Sequence, residues 1–270
     1  MTSVPKKVSE RYKNTVTKFQ KILESALDRD VNEADTVGIC KDIISEVYGF
    51  DKYSEITSEY AIRGTFCDLA VKYDDKIQYL IEVKAIGITL KENHLKQAID
   101  YGANKGVKWI VLTNGIVWEL YNIKFERPIN YQLVCSFNFM SMNPRKVEDQ
   151  EKLFLFSKKG ISKSAREDYY ERIQSFNRFV VSSVIQSEPV VKVIKNYIKK
   201  LSSGIKIESS DVLKILRNEV LKREVLDGED AIAANNRVNK LLAKPRINKK
   251  RGLSKKEDSQ DVNNNDNKSS

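Results

Sequence analysis

Between Lys76 and Gly87 the chain reads Ile77-Gln78-Tyr79-Leu80-Ile81-Glu82-Val83-Lys84-Ala85-Ile86, an apolar stretch whose only charges are Glu82 and Lys84. Its branched and aromatic residues make it a strand buried on both faces, since a strand with one wet face alternates apolar and polar side chains. Residues two apart on a strand share a face, so Glu82 and Lys84 point one way and Ile81 and Val83 the other. The result is a charged pair on a central strand.

The preceding segment, Phe66 to Tyr73, also has strand character, and Asp74-Asp75 marks a turn between the two. A hairpin closed by a three-residue loop at Asp74 to Lys76 sets Tyr73 opposite Ile77 and Asp68 opposite Glu82, with Cβ atoms about 5 Å apart. Two carboxylates then converge beside one ammonium. Like charges opposed in a sheet are destabilising and need a compensating cation. Mg²⁺, which takes a few carboxylate oxygens and keeps several waters, suits Asp68, Glu82 and the Val83 carbonyl, with Mn²⁺ as the alternative. Lys84 then lies where it can orient a nucleophile and stabilise charge developing on a phosphate. The plainer alternative is a cross-strand ion pair on the wet face of a hairpin, which the apolar surroundings of Glu82 oppose.

Helical periodicity runs from Glu10 to Leu27 and again after Asn32 or Asp35, with Gly49 as a stop. Strand segments follow at Tyr60 to Ile62, Phe66 to Tyr73, Ile77 to Val83, Trp109 to Leu112 and Val117 to Tyr121, with Gln132 to Phe139 as an edge strand and a helix from Lys91 to Asn104 between. That order predicts an α/β layer with a mixed sheet. Beyond Pro144 only helices are expected: Glu148 to Phe156, Ser164 to Ile185, Val190 to Leu201, Ser209 to Val225 and Gly228 to Leu242. The division is therefore a sheet domain over 1–143, a helical accessory domain over 144–243 and a disordered basic tail over 244–270. In Ser164 to Ile185, Tyr169, Tyr170, Phe176 and Phe179 alternate with Lys163, Arg166, Arg172 and Arg178. Such a mix suits either nucleic-acid binding or packing with the charges facing water; packing or self-association is the favoured reading for this segment and for Val212 to Val225, and it leaves a homo-oligomer through the helical domain open.

Composition narrows the chemistry. Forty-seven Lys and Arg against 37 Asp and Glu give a net charge of +10, which suits a polyanionic partner. One histidine, His94, argues against histidine triads and multi-histidine metal centres. Cys40, Cys67 and Cys135 lie far apart, outside any CxxC spacing, and read as structural thiols. No apolar run approaches the ~20 residues of a membrane span, and Met1 to Glu10 lacks the apolar core of a secretory signal. A cytoplasmic protein without a membrane partner is expected.

The segments Cys67-Asp68-Leu69 and Ile81-Glu82-Val83-Lys84 resemble the D and ExK elements of the PD-(D/E)XK nuclease superfamily. Gln97-Ala98-Ile99-Asp100-Tyr101 is similar to the QxxxY element of one branch. With Leu112-Thr113-Asn114-Gly115, Trp118, Tyr121 and the early Asn32-Glu33-Ala34-Asp35-Thr36, the order looks like the N-terminal nuclease domain of type I restriction enzyme motor subunits and their stand-alone relatives, over Val31 to Tyr121. The resemblance implies a restriction-endonuclease-like core and a Mg²⁺-dependent DNA endonuclease serving restriction or defence. It makes Asp68 and Glu82 metal ligands, Lys84 catalytic, and Gln97 and Tyr101 contacts to nucleic acid. Glu33 is carried over as the carboxylate completing the metal site, with Glu46 as the alternative. The chain contains no GxxxxGK[ST] sequence, so no ATP-driven motor is expected. The rival readings are a binding or complex-forming protein that keeps the fold without catalysis, and a repair or junction-resolving nuclease.

Overall fold

The computed structural model describes residues 3–62, 65–201 and 204–243. The basic tail expected from Lys244 onward lies outside these residues. The chain divides into two compact units, 1–176 and 177–270.

The first unit opens with helices α1 (Lys6–Asp28) and α2 (Glu33–Glu46). Asn32 caps α2, its side chain accepting from the Asp35 N–H at 2.9 Å, a local bond that fixes where the helix starts. At the other end Arg11 of α1 donates to the carbonyls of Val47 and Tyr48 at 2.9 and 3.2 Å, satisfying groups left over by the helix. Six strands follow: β1 (Ile56–Ile62), β2 (Thr65–Tyr73), β3 (Lys76–Val83), β4 (Trp109–Thr113), β5 (Val117–Lys124) and β6 (Asn130–Asn138), with α3 (Glu92–Lys105) between β3 and β4. They form one sheet in chain order, antiparallel throughout except for the parallel β3–β4 pair that α3 connects. This is the mixed α/β sheet that the sequence predicts.

One sheet face carries the larger core, in which Val16, Phe19 and Leu23 of α1 and Cys40, Ile43 and Ile44 of α2 meet Leu69, Ile81, Val83 and Trp118. On the other face Leu95, Ala98, Ile99 and Tyr101 of α3 meet Ala70, Leu80, Ile110 and Ile123. β3 is thus covered on both sides, as its composition predicts. α3 can lie close because Gly102 faces the sheet: a Cβ there would stand 2.6 Å from Ile123 Cδ1 and 2.8 Å from Ile110 Cδ1. All three cysteines are buried free thiols.

Three further helices belong to this unit: α4 (Val147–Phe156), the single turn α5 (Lys158–Ile161) and α6 (Ala165–Ser175). The boundary at 143/144 marks the end of the strands, whereas the compact unit ends after Phe176. The physical reason is burial. Phe154 and Phe156 enter the main core, and Arg166, 2% exposed, lies with its guanidinium carbon 5.3 Å from the Tyr79 ring centre and 5.1 Å from that of Trp109. Arg166 Nη1 also donates to the Gln78 carbonyl at 3.2 Å. Stacked, hydrogen-bonded arginine is the form in which such a charge tolerates burial.

In the second unit the structure corrects the single helix read over Ser164 to Ile185. α6 ends at Ser175 and α7 (Arg178–Ile185) begins anew, because the Asn177 side chain accepts from the N–H groups of Phe179 and Val180 and caps a fresh helix. Then come α8 (Glu188–Leu201), α9 (Ser209–Ile215), a π-helical turn at Leu216–Val220, a 3₁₀ turn at Arg223–Val225 and α10 (Glu229–Leu242). Among the described residues no helix is long and apolar enough to cross a membrane.

Candidate active site

The β2–β3 hairpin sets the geometry. Its turn holds two residues, Asp74 and Asp75, both at positive φ (50° and 58°), with Tyr73 paired to Lys76. The expected three-residue loop pairing Tyr73 with Ile77 is therefore incorrect: two successive left-handed residues close a two-residue turn whose twist matches that of the flanking strands. A register shift between Val71 and Lys72 then restores the predicted alignment, so that Val71, Ala70 and Leu69 pair with Tyr79, Leu80 and Ile81. One further step along that register brings Asp68 level with Glu82. Two departures from the expected hairpin cancel before the carboxylates are reached.

At this end of the sheet Asp68 Oδ2 accepts from the Val83 N–H at 2.7 Å. Lys84 Nζ donates to Glu82 Oε1 at 2.8 Å and stands 3.6 Å from Glu33 Oε2. Glu82 is 4% exposed, and its second oxygen, Oε2, is buried without a hydrogen-bond partner among the described residues. Glu33 comes from the first turn of α2, whereas Glu46, at the far end of that helix, is paired with Lys18 at 2.6 Å. The structure therefore brings Asp68, Glu82, Lys84 and Glu33 together and leaves Glu46 elsewhere.

Electrostatics match this picture. Burial above all, with a further push from Asp68 and Glu33, raises the Glu82 carboxyl to about 7 against the opposing hydrogen bond from Lys84. Burial also raises Asp68, against the Val83 N–H and the Lys84 charge. For Lys84, burial works to lower the value, but the hydrogen bond to Glu82 and the surrounding carboxylates prevail and hold it above its ordinary range. Two carboxylates therefore resist ionising in one place while a lysine stays charged.

A carboxyl raised in the folded state makes the folded chain bind its proton more tightly than the unfolded chain does, so the stabilisation is full below the unfolded carboxylate range and is lost as the pH rises through about 7. In EDTA, going from about pH 5 to about pH 8 should therefore cost up to about 3 kcal/mol in urea unfolding. Glu82→Gln should remove most of that dependence. An equal pH dependence in wild type and Glu82→Gln would place the perturbed group elsewhere.

The donor set can be tested against the divalent metal that the sequence implies. Among the described residues, no group of three or more His, Cys, Asp or Glu side chains is arranged to hold a metal ion. What is present is two carboxylates, one with an orphaned buried oxygen, and hard oxygen ligands in that number fit Mg²⁺, which retains most of its water. Glu33 meets this pair through Lys84.

Gln97 and Tyr101 share a face of α3 and are joined directly, Gln97 Nε2 donating to Tyr101 Oη at 2.6 Å. A groove lined by Asn93, Lys96, Gln97, Asp100, Tyr101 and Asn104 runs along that helix. His94 Nδ1 accepts from the Lys91 N–H at 3.3 Å, at the start of the helix.

Asn114 enters the resemblance in sequence without a role. The structure supplies one. Its amide donates to the carbonyls of Ile86 and Ile88 at 3.2 and 2.9 Å, and its oxygen accepts from the N–H groups of Ile116 and Val117. Gly115 next to it takes φ +82°, and the Lys84 N–H reaches the Thr113 carbonyl at 2.8 Å. Asn114 therefore pins the segment that follows Lys84 to the β4–β5 turn. A buried Asn on a turn pinning backbone is recognisable only once its partners are known. Asn114→Ala leaves two carbonyls and two N–H groups short of partners and should destabilise by about 2–4 kcal/mol. A loss under about 1 kcal/mol in urea unfolding would show that these bonds are readily replaced.

No curated protein and no solved structure matches this chain. Residues 42–134, from within α2 through most of β6 and so including Asp68, Glu82, Lys84, Gln97 and Tyr101, match the family model of the type I restriction enzyme R protein N terminus, and it is to that family that the sheet region of this chain is similar.

Proposed function

We propose that this chain is a Mg²⁺-dependent DNA endonuclease of restriction or defence type, with Asp68, Glu82 and Lys84 as its catalytic residues. The observation that carries the reading is Glu82: a carboxylate on a strand buried on both faces, with an unpartnered oxygen, facing a second carboxylate and a lysine. A sheet gains nothing in stability from such a group, so its presence requires another use. The family matched by residues 42–134 supports the same conclusion.

Asp68 and Glu82 would hold the ion, with the Val83 carbonyl beside them. When bound, a divalent cation supplies Lewis-acid polarisation of the scissile phosphate and makes water acidic enough to attack phosphorus. Lys84, fixed by Glu82, places a positive charge where negative charge develops in the transition state. Glu33 holds Lys84 from the other side and supports its position. Gln97 orients the nucleic-acid strand, and Tyr101, 3% exposed, acts through it by the hydrogen bond that limits its rotamers.

The test is purified full-length protein with supercoiled and linear DNA, methylated and unmethylated, in MgCl₂ or EDTA. Cleavage in MgCl₂ that EDTA abolishes is expected. Binding without cleavage in Mg²⁺ or Mn²⁺ on every substrate would favour a fold kept for binding alone.

A further inference from the structure

In the second unit, one side of α8 does what a packed helix must: Val191, Ile194 and Ile198 join Val212 and Leu216 in a small core. The outer side is harder to explain by packing. Val193, Tyr197 and Lys200 stand at i, i+4 and i+7 and so share a face, on which Val193 is 53% and Tyr197 66% exposed. Lys200 Nζ sits 5.3 Å from the centre of the Tyr197 ring. The helix carries four lysines against one acid, Glu188, which pairs with Lys192 at 2.6 Å. Among the described residues Lys195, Lys199 and Lys200 have no carboxylate partner, unlike Lys18, Lys52, Lys84, Lys158 and Lys192.

An exposed ring set among unpaired ammoniums offers two things at once: a flat surface on which a base can stack and cations for the flanking phosphates. Single-stranded nucleic acid uses both, whereas a duplex hides its base faces and leaves the ring idle. A second copy of the chain would bring lysine against lysine across a symmetric contact, with no acid on this face to offset them. A membrane surface would use the ridge of Val193, Tyr197 and Leu201, 53%, 66% and 87% exposed, so partition to anionic vesicles is one arm of the test below.

We propose that the outer face of α8, centred on Tyr197 with Lys199 and Lys200, binds single-stranded nucleic acid by stacking a base on the ring and pairing phosphates with the ammoniums. The proposal deepens the nuclease reading and rests on it for the identity of the polymer.

The experiment uses the full-length chain in EDTA, so that binding is read without turnover. A labelled oligothymidylate of about 20 nucleotides and a duplex of equal length are titrated by fluorescence anisotropy at several salt concentrations. Tyr197→Ala should weaken single-strand binding by about ten-fold or more while changing duplex binding little, and Tyr197→Phe should bind like wild type. Combining Lys199→Ala with Lys200→Ala should reduce the slope of log affinity against log salt by about 1.4 on single strands. All three positions carry exposed side chains, and circular dichroism checks the fold. Wild-type affinity in Tyr197→Ala overturns the proposal, as does an equal loss in Tyr197→Phe or an equal fall on duplex. Unchanged oligonucleotide binding with loss of partition to phosphatidylserine vesicles, or with loss of a dimer in sedimentation, assigns the face to a membrane or to a second copy and also overturns it. The nuclease reading is tested separately: a chain that cleaves in MgCl₂ yet ignores Tyr197→Ala loses only this inference, and one that binds through Tyr197 yet never cleaves loses only the other.

Discussion

Asp68→Ala and Glu82→Ala should each give a folded protein whose Mg²⁺-dependent cleavage is reduced by at least about 10²-fold, toward the level seen in EDTA. Each substitution removes half of the carboxylate pair, and two carboxylates leave no spare ligand to take over. The fold should survive because the one hydrogen bond each group makes is offset by the cost of its buried charge. Glu82 is a buried carboxyl raised to about 7 with one orphaned oxygen, and Asp68 is raised as well, so both are costs to the folded state at neutral pH. Glu82→Gln, which keeps the volume and removes the charge, should melt at or above the wild-type temperature at about pH 8, the reverse of an ordinary core substitution. Full cleavage by both alanine variants would end the assignment of this site. Loss of cleavage together with loss of fold in Glu82→Gln would show instead that the carboxylate is structural.

Much of this is legible in the sequence, for a physical reason: β3 is buried on both faces, so its apolar composition and its two charges stand out against each other. The helix over Glu92–Lys105 and the strands to either side followed from periodicity and turn residues, and the mixed sheet from their order. The hairpin is more instructive. The alignment of Asp68 with Glu82 was predicted from a loop of the wrong length, and it holds because a register shift beside Val71 offsets the shorter turn. Alternation alone does not show a bulge. What periodicity could not reveal was the break at Asn177, where a side-chain cap interrupts a continuous helical pattern, or the place of α6. The cationic Arg166 reads as a surface residue until Tyr79 and Trp109 are seen on either side of it. The choice between Glu33 and Glu46 was open for a similar reason. Both lie on α2, and only the direction in which that helix meets the sheet brings the first near Lys84 and the second to Lys18.

Lys84→Ala separates catalysis from a carboxylate pair kept for binding. Lys84 offers no ligand to a cation, so affinity for Mg²⁺ should persist, and a single charge among many contributes little to DNA affinity. The transition state, by contrast, loses a preorganised cation held at 2.8 Å by Glu82 and steadied by Glu33, so the single-turnover rate at saturating DNA should fall by about 10²-fold or more. Part of the response should appear in the carboxylates. With the ammonium gone, Glu82 loses the hydrogen bond that favours its charged form and Asp68 loses a nearby positive charge, so both should hold their protons to higher pH than in wild type. In MgCl₂ the residual cleavage should therefore need a higher pH to reach its plateau. Restoring the charge with Lys84→Arg should bring back the pH profile more fully than the rate, because a planar guanidinium supplies the charge but not the compact geometry of an ammonium. A Lys84→Ala protein that cleaves at the wild-type rate once DNA is saturating, and is weak only below saturation, would make Lys84 a phosphate contact and remove it from the chemistry.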